Sequence, residues 1–279
     1  MSLFYSQKEL KEALISHQKS IGFVPTMGAL HNGHLALVKE SLSKNKTTVV
    51  SIFVNPTQFN NASDLEKYPR TLIDDVNKLM NCSPEIMIYA PTVLDIYEGK
   101  VDVEKFNFDG LEDEMEGKFR PGHFDGVGTI VKKLFEIVQP SHAYFGEKDF
   151  QQLQIVKKLV KKQQLPVEII GCPIYREPNG LAMSSRNERL LKETREKASI
   201  IYKTLQEVQV FFGTKNVGEL YEYVKNVFEQ ESIFELEYFT IAEETTLKEL
   251  ENYNNECKYR AFIAVFTNNI RLIDNISLN

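Results

Sequence analysis

Five short blocks of this 279-residue chain concentrate side chains that can bind or polarise an anion. The first is PTMGALHNGH at residues 25–34. Gly28 and Gly33 let the backbone approach a ligand closely. The helical pattern that follows offers free N–H groups and a positive dipole end, a natural place for phosphate. His31 and His34 stand three apart, so within one helical turn they point the same way. There they can donate to phosphate oxygens as charge builds. The pair could also bind a metal, although no third ligand stands near in sequence, or simply cap the helix. The glycine spacing is neither GxGxxG nor that of a P-loop, so those two nucleotide motifs are only weakly supported.

The other blocks follow in order. Residues 55–59, NPTQF, place amide side chains after an apolar run. Amides suit neutral recognition of hydroxyl and carboxylate groups, though Asn-Pro alone signals an ordinary turn. Residues 120–126, RPGHFDG, read equally as a binding loop or a polar connection. In YFGEKD, residues 144–149, Lys148 can reach phosphate as a point charge. Asp149 can accept from ribose hydroxyls or cap its helix. In MSSRN, residues 183–187, hydroxyls and a guanidinium precede a helical stretch and suit a leaving pyrophosphate. There the alternative is a serine cap with the arginine in solvent.

These blocks need elements to position them. Apolar, β-branched runs at 21–24, 47–54, 86–89, 143–145 and 167–170 predict strands, with helical patterns at 34–43, 75–80, 127–138 and 149–162. Such alternation implies a parallel sheet covered on both faces, with ligands beyond the carboxyl ends of the strands. After about residue 172 the pattern changes to a long helical stretch over 188–212, a helix over 217–230, and strands at 236–241, 259–266 and 270–273. The fold class is therefore α/β. A Rossmann-like, doubly wound parallel sheet over residues 1–173 precedes a smaller α+β domain over 174–279.

Bulk properties narrow the function. Apolar residues at 42% and charged residues at 26% are an ordinary globular balance. A net charge of -6 argues against general affinity for nucleic acid but leaves room for a local cationic pocket that takes a small anion. The three cysteines are scattered without a CxxC pair, which predicts reduced thiols. The N-terminus has no apolar signal-peptide core, and no apolar run approaches the ~20 residues that span a bilayer. The expected location is the cytoplasm, with no membrane partner.

Taken together, PTMGALHNGH, FVNPTQF, YPRT, RPGHFDGV, FGEKDFQQ and MSSRN resemble the pantothenate synthetase (pantoate–β-alanine ligase) family, in order, over about residues 21–187. Residues 31–34 resemble the HIGH signature of the wider nucleotidyltransferase group, and residues 183–186 its second signature. The resemblance implies two steps: pantoate attacks ATP to give pantoyl adenylate and pyrophosphate, then β-alanine displaces AMP. It implies that His34, His31, Lys148 and Arg186 are catalytic. It places ATP on Met27, Gly28, Ala29, Leu30, His31, Asn32, Gly33 and His34, on Gly146, Glu147, Lys148 and Asp149, and on Tyr175, Met183, Ser184, Ser185 and Arg186. It places pantoate on Gln58 and Gln152, with β-alanine also near Gln58. Tyr175 stands where the family usually has a small or medium apolar residue touching adenine. Asp75 aligns with an acidic position associated with the metal, Mg²⁺, that accompanies ATP. A homodimer is also implied. Residues 60–75, polar and directly after Gln58, are expected to form a lid. The alternatives are a related nucleotidyltransferase, which fits the Gln58 and Gln152 blocks less well, and a non-catalytic nucleotide-binding module, for which keeping Lys148 and both histidines has no use.

Overall fold

In the computed structural model the described residues are 2–17, 20–59 and 62–279. The chain divides into two compact units: Met1–Glu147 with Gln151–Pro173, and Lys148–Phe150 with Ile174–Asn279.

The first unit is built on six parallel strands: β1 (Ser2–Phe4), β2 (Ile21–Thr26), β3 (Thr47–Ile52), β4 (Met87–Tyr89), β5 (His142–Gly146) and β6 (Glu168–Cys172). Their order is β1-β4-β3-β2-β5-β6. The helices are α1 (Gln7–Leu14), α2 (Asn32–Lys44), α3 (Ala62–Lys67), α4 (Leu72–Cys82), α5 (Val93–Tyr97), α6 (Met115–Phe119), α7 (His123–Val138) and α8 (Phe150–Gln163). β3 reads TTVVSI and is buried over its first five residues, as a central strand covered on both faces must be. Val24, Val50 and Ile88 of the strands form one core with Leu30, Val38 and Leu79. From β2 the sheet grows one way through β3 and β4 and the other way through β5 and β6. In an open α/β sheet the ligand crevice lies beyond the carboxyl ends at such a reversal. The segment leaving β2 is the block 25–34.

The structure differs from the sequence expectation in places. The strand expected to end before Pro25 continues through Thr26. The Thr26 carbonyl accepts from Phe53 N–H on the β3 side, so Pro25 faces β5, where pairing covers only Gly22 and Phe23. Its missing amide therefore breaks no ladder. β1, α1, α5 and α6 had no expectation, because elements this short give little periodic signal. In the segment expected to form a lid, residues 60 and 61 lie outside the described residues. The rest contains α3 and the start of α4, and its far end is fixed, because Asp75 is wholly buried.

The second unit carries α9 (Lys192–Lys197), α10 (Ser199–Phe211), α11 (Val217–Glu229) and an antiparallel sheet of β7 (Glu235–Glu243), β8 (Tyr259–Thr267) and β9 (Ile270–Ser277). Leu205 and Val208 of α10 and Leu220 and Val224 of α11 pack with Ile241 and Ile263 of the sheet. Asn268 and Asn269, both at positive φ, turn β8 into β9, as tight hairpins require. The single long helix expected over 188–212 is broken. A short 3₁₀ turn, Ser185–Arg189, comes first, and Leu190 and Leu191 are extended before α9. The Asn187 amide is pulled onto Glu177 and the Ala182 carbonyl, which holds the first turn away from the later helix axis. No helix among the described residues is long and apolar enough to cross a membrane.

Candidate active site

The block after β2 is a tight bend. Gly28 (φ 83°) and Ala29 (φ 49°) are both left-handed, a conformation that costs an L-residue such as alanine roughly 1–2 kcal/mol. It is held from below by α4. Asp75 accepts from Ala29 N–H at 2.9 Å and Leu30 N–H at 2.7 Å, while Lys78 Nζ donates to the Leu30 carbonyl at 2.7 Å. Thr26 Oγ1 accepts from Gly28 N–H at 3.2 Å. The bend delivers His31 to the N-cap of α2. The His31 amide donates to His34 Nδ1 at 3.3 Å. A nitrogen that accepts carries no proton, so the neutral His34 ring carries its proton on Nε2. The His31 and His34 rings lie 4.0 Å apart, centre to centre. Asn32, Gly33 and His34 open α2, where first-turn amides have no intrahelical acceptor.

Gln58 ends the 3₁₀ turn Pro56–Gln58 that follows β3. Buried Asn55 sets its amide: Asn55 Nδ2 donates to Gln58 Oε1 at 3.2 Å and to the Gly126 carbonyl at 3.2 Å, and Tyr97 Oη donates to Asn55 Oδ1 at 2.6 Å. Gln58 Nε2 donates to Met27 Sδ at 3.0 Å, tying this turn to the bend after β2. The RPGHFDG block braces the same turn. His123 Nδ1 donates to the Gln58 carbonyl at 2.8 Å, and Arg120 donates to it at 3.2 Å. A Cβ on Gly126 would stand 2.3 Å from the Thr57 carbonyl oxygen, so only glycine lets α7 come this close. Within this unit the block positions Gln58.

Gln151 and Gln152 separate sharply. Gln151 is buried; its Nε2 donates to the Leu111 and Glu114 carbonyls, and its Oε1 accepts from Glu116 N–H. Gln152, about 100° further round α8, is half-buried. β5 ends at Gly146, and the chain leaves it through the short turn Glu147–Asp149.

In the second unit, the Lys148 carbonyl accepts from Asn275 Nδ2 at 2.9 Å, and Asn275 Oδ1 accepts from Arg260 at 2.7 Å. Arg260 also pairs with Glu244 and lies over the Phe150 ring. Lys148 Nζ stands 3.8 Å from Asp149 Oδ1. Ser184 caps the 3₁₀ turn, accepting from Arg186 N–H at 3.3 Å. Its hydroxyl proton remains a donor. Two arginine forks flank the segment. Arg195 grips Glu177 at 2.8 and 3.0 Å, and Arg176 grips buried Asp274 at 2.6 and 3.0 Å while covering the Tyr202 ring. Burial raises the Asp274 carboxyl and the Arg176 guanidinium opposes that rise. Ser185 and Arg186 are half-buried. Tyr175 is 44% exposed, and its carbonyl accepts from Met183 N–H at 2.9 Å.

The family model for pantoate–β-alanine ligase matches residues 2–277. The pantothenate synthetase of Flavobacterium psychrophilum is 63% identical over all of both chains, and that of Christiangramia forsetii 51% over all of both. The chain belongs to the pantoate–β-alanine ligase family. Solved structures agree. The pantothenate synthetase of Thermus thermophilus superposes with a TM-score of 0.92 at 39% identity, covering 100% of this chain and 99% of that one. The Francisella tularensis pantoate–β-alanine ligase, complexed with β-γ ATP and β-alanine, gives 0.82 at 37% identity over 100% and 98%. The family implied by the motifs is thus the family found, and the activity is that of a ligase forming pantothenate.

For a pantoate–β-alanine ligase, two features were out of reach of the motifs. Asn55 and Tyr97, which orient Gln58, lie 42 residues apart. Asn275 reaches Lys148 across 127 residues. The metal assignment of Asp75 also changes. A resident Mg²⁺ takes six oxygens at ~2.0–2.1 Å and keeps several waters. Asp75 is wholly buried, and both its oxygens are occupied by loop amides, with Thr71 Oγ1 adding a third donor at 3.2 Å. Among the described residues no group of three or more His, Cys, Asp or Glu side chains is arranged to hold a metal. Asp75 therefore does not fit a protein-held Mg²⁺, and no step runs through one.

Proposed function

We propose that this ligase makes pantothenate through a pantoyl-adenylate intermediate at the cost of one ATP, releasing pyrophosphate and then AMP. The observation that carries this reading is the pair His31 and His34 at the start of α2, with the His34 proton held on Nε2 by the His31 amide. A pre-oriented N–H at a helix start is suited to stabilise charge growing on a phosphate oxygen. A pantoate carboxylate oxygen attacks the α-phosphorus, and the bond from that phosphorus to the bridging oxygen breaks with its electron pair leaving on pyrophosphate. The β-alanine nitrogen then attacks the acyl carbon, and the carbon–oxygen bond to AMP breaks while the amine gives up its proton. AMP is a far better leaving group than a carboxylate oxygen, so activation divides one difficult substitution into two.

ATP takes residues 27–34, 146–149, Tyr175 and 183–186. His31, His34, Lys148 and Arg186 counter the charge that passes to pyrophosphate, and Ser184 and Ser185 donate hydroxyls. Gln58 and Gln152 hold pantoate, their amides donating to its carboxylate and accepting from its hydroxyls. Gln58 also meets β-alanine. Support comes from the complex of the Francisella relative with β-γ ATP and β-alanine. Mg²⁺ enters as the counterion of ATP. The further partner is a second copy of the chain, in a cytoplasmic homodimer.

The test uses isotopes. AMP should form from ATP only when pantoate is present. Labelled pyrophosphate should exchange into ATP with pantoate and Mg²⁺ but without β-alanine. One carboxylate oxygen of ¹⁸O-pantoate should appear in AMP. Turnover to pantothenate with no label in AMP overturns the adenylate route.

A further inference from the structure

We propose that Asp75 is a positioning residue for the nucleotide, acting through the backbone of the bend after β2 and not through a metal. This inference rests on the reading that residues 27–34 bind ATP. A carboxylate so near a phosphate site repels the substrate, so its presence needs a function. The geometry supplies one. Two consecutive amides, those of Ala29 and Leu30, point inward onto its two oxygens. Charge-assisted bonds of this kind are about twice as strong as neutral ones. They hold Ala29 in a left-handed conformation that a non-glycine residue keeps only when its surroundings over-determine it. With the inner amides pinned, the chain turns outward into His31 and the first turn of α2.

Lys78 makes the grip two-sided. It stands three residues after Asp75 on α4, hence on the same helix face. Its ammonium donates to the Leu30 carbonyl. One helix thus holds Leu30 by both its N–H and its C=O. A fixed cation on that face opposes a divalent cation on Asp75 and suits a clamp. Gly28 completes the fit: a Cβ there would lie 3.1 Å from Asp75 Oδ2, and its φ of 83° favours glycine in any case.

Two variants test the clamp on the full chain. Asp75→Asn keeps the shape but turns an NH₂ donor towards one of the two amides. Lys78→Met releases the Leu30 carbonyl and touches no acidic group. ATP affinity is measured by calorimetry in excess EDTA, and the Mg²⁺ activation midpoint is measured separately at saturating ATP. Losing one charge-assisted bond should weaken metal-free ATP binding about tenfold in Asp75→Asn. Lys78→Met should weaken it several-fold, with the Mg²⁺ midpoint unmoved in both. Unchanged affinity in EDTA together with a large upward shift of the Mg²⁺ midpoint in Asp75→Asn overturns the clamp and restores a metal ligand. If Asp75→Asn does not fold, Lys78→Met decides alone: unchanged metal-free affinity overturns the clamp. His34→Ala separates the two levels. If it weakens ATP binding while both clamp variants do not, only the clamp fails. If none of the three weakens it, the placement of ATP on this loop fails and takes the clamp with it.

Discussion

The bend at residues 25–34 and the turn at Ser185–Arg189 both carry residues that we propose counter phosphate charge, yet they are held in opposite ways. In the bend, one buried carboxylate accepts directly from the loop's own amides. Around the turn, two carboxylates, Glu177 and Asp274, bind flanking arginine side chains. The first loop is gripped chiefly from one helix, α4, through Asp75 and Lys78. The second is framed by two separate forks, with Asn187 as a third tie. A loop with a single clamp should fail sharply when that clamp or its delivered residue is lost, and a loop with several ties should fail gradually.

The largest expected effect sharpens that contrast. His34→Ala removes both a pre-oriented donor and the acceptor of the His31 amide. It should lower kcat for AMP formation by ~10²–10³ while circular dichroism stays native. Lys148→Ala should fall in the same range. Near-wild-type turnover in a folded His34→Ala protein would break the assignment of the bend to chemistry.

Next come the glutamines. Gln58→Leu should raise the pantoate KM with little change in ATP affinity measured without pantoate. The cost is ~1–3 kcal/mol for substrate groups left unpaired. Gln151→Leu should do the reverse: it strands the Leu111 and Glu114 carbonyls, so Tm falls while the pantoate KM holds. Equal effects of the two variants on both readouts would erase the distinction between a ligand-facing and a structural glutamine.

The forks are expected to matter less singly than together. Arg195→Met leaves Glu177 tied to Asn187, and the Arg176–Asp274 fork stands. Activity should drop less than tenfold, with a stability loss of ~1–3 kcal/mol by denaturant titration. Combining it with Arg176→Met should cost more activity than the product of the single losses, because the turn then keeps neither fork. A full collapse of activity in Arg195→Met alone would mean that the second loop, like the first, hangs on a single clamp.

The alternation of strands and helices in residues 21–172 was legible because its strands are short β-branched runs between polar breaks. Pro25 misled for a simple reason: proline ends a strand where its amide is needed, and here it was not. The helix over 188–212 was misread because its apolar spacing is real, while the tie from Asn187 to Glu177 that breaks it is a tertiary contact. The family was legible from the type and order of the motif residues, and its model matches residues 2–277. The supports of those residues were not. Asp75 grips amides 45 and 46 residues away, and nothing in periodicity reports where a backbone N–H points. Gln151 and Gln152 are chemically identical neighbours, and only the helix phase assigns one to the Leu111–Glu114 loop.

The smallest expected effect concerns how Lys148 is held. Asn275 works in two directions: Oδ1 accepts from Arg260, and Nδ2 donates to the Lys148 carbonyl. Asn275→Asp separates them. Its carboxylate keeps an acceptor for Arg260, with added charge attraction, but has no proton for the Lys148 carbonyl and faces it oxygen to oxygen. The Lys148 backbone loses a tie, while the β8–β9 pairing and the Glu244–Arg260 ion pair remain. A lost neutral hydrogen bond of ~0.5–1.5 kcal/mol corresponds to a two- to tenfold change. If Lys148 serves pyrophosphate departure as proposed, the loss should appear in kcat for AMP formation and hardly in the pantoate KM. Tm should stay within a few degrees of wild type. A pantoate KM raised as much as kcat is lowered would show that the tie serves the whole fold around β9, and would place Lys148 among the residues held in several ways, like the turn at Ser185–Arg189.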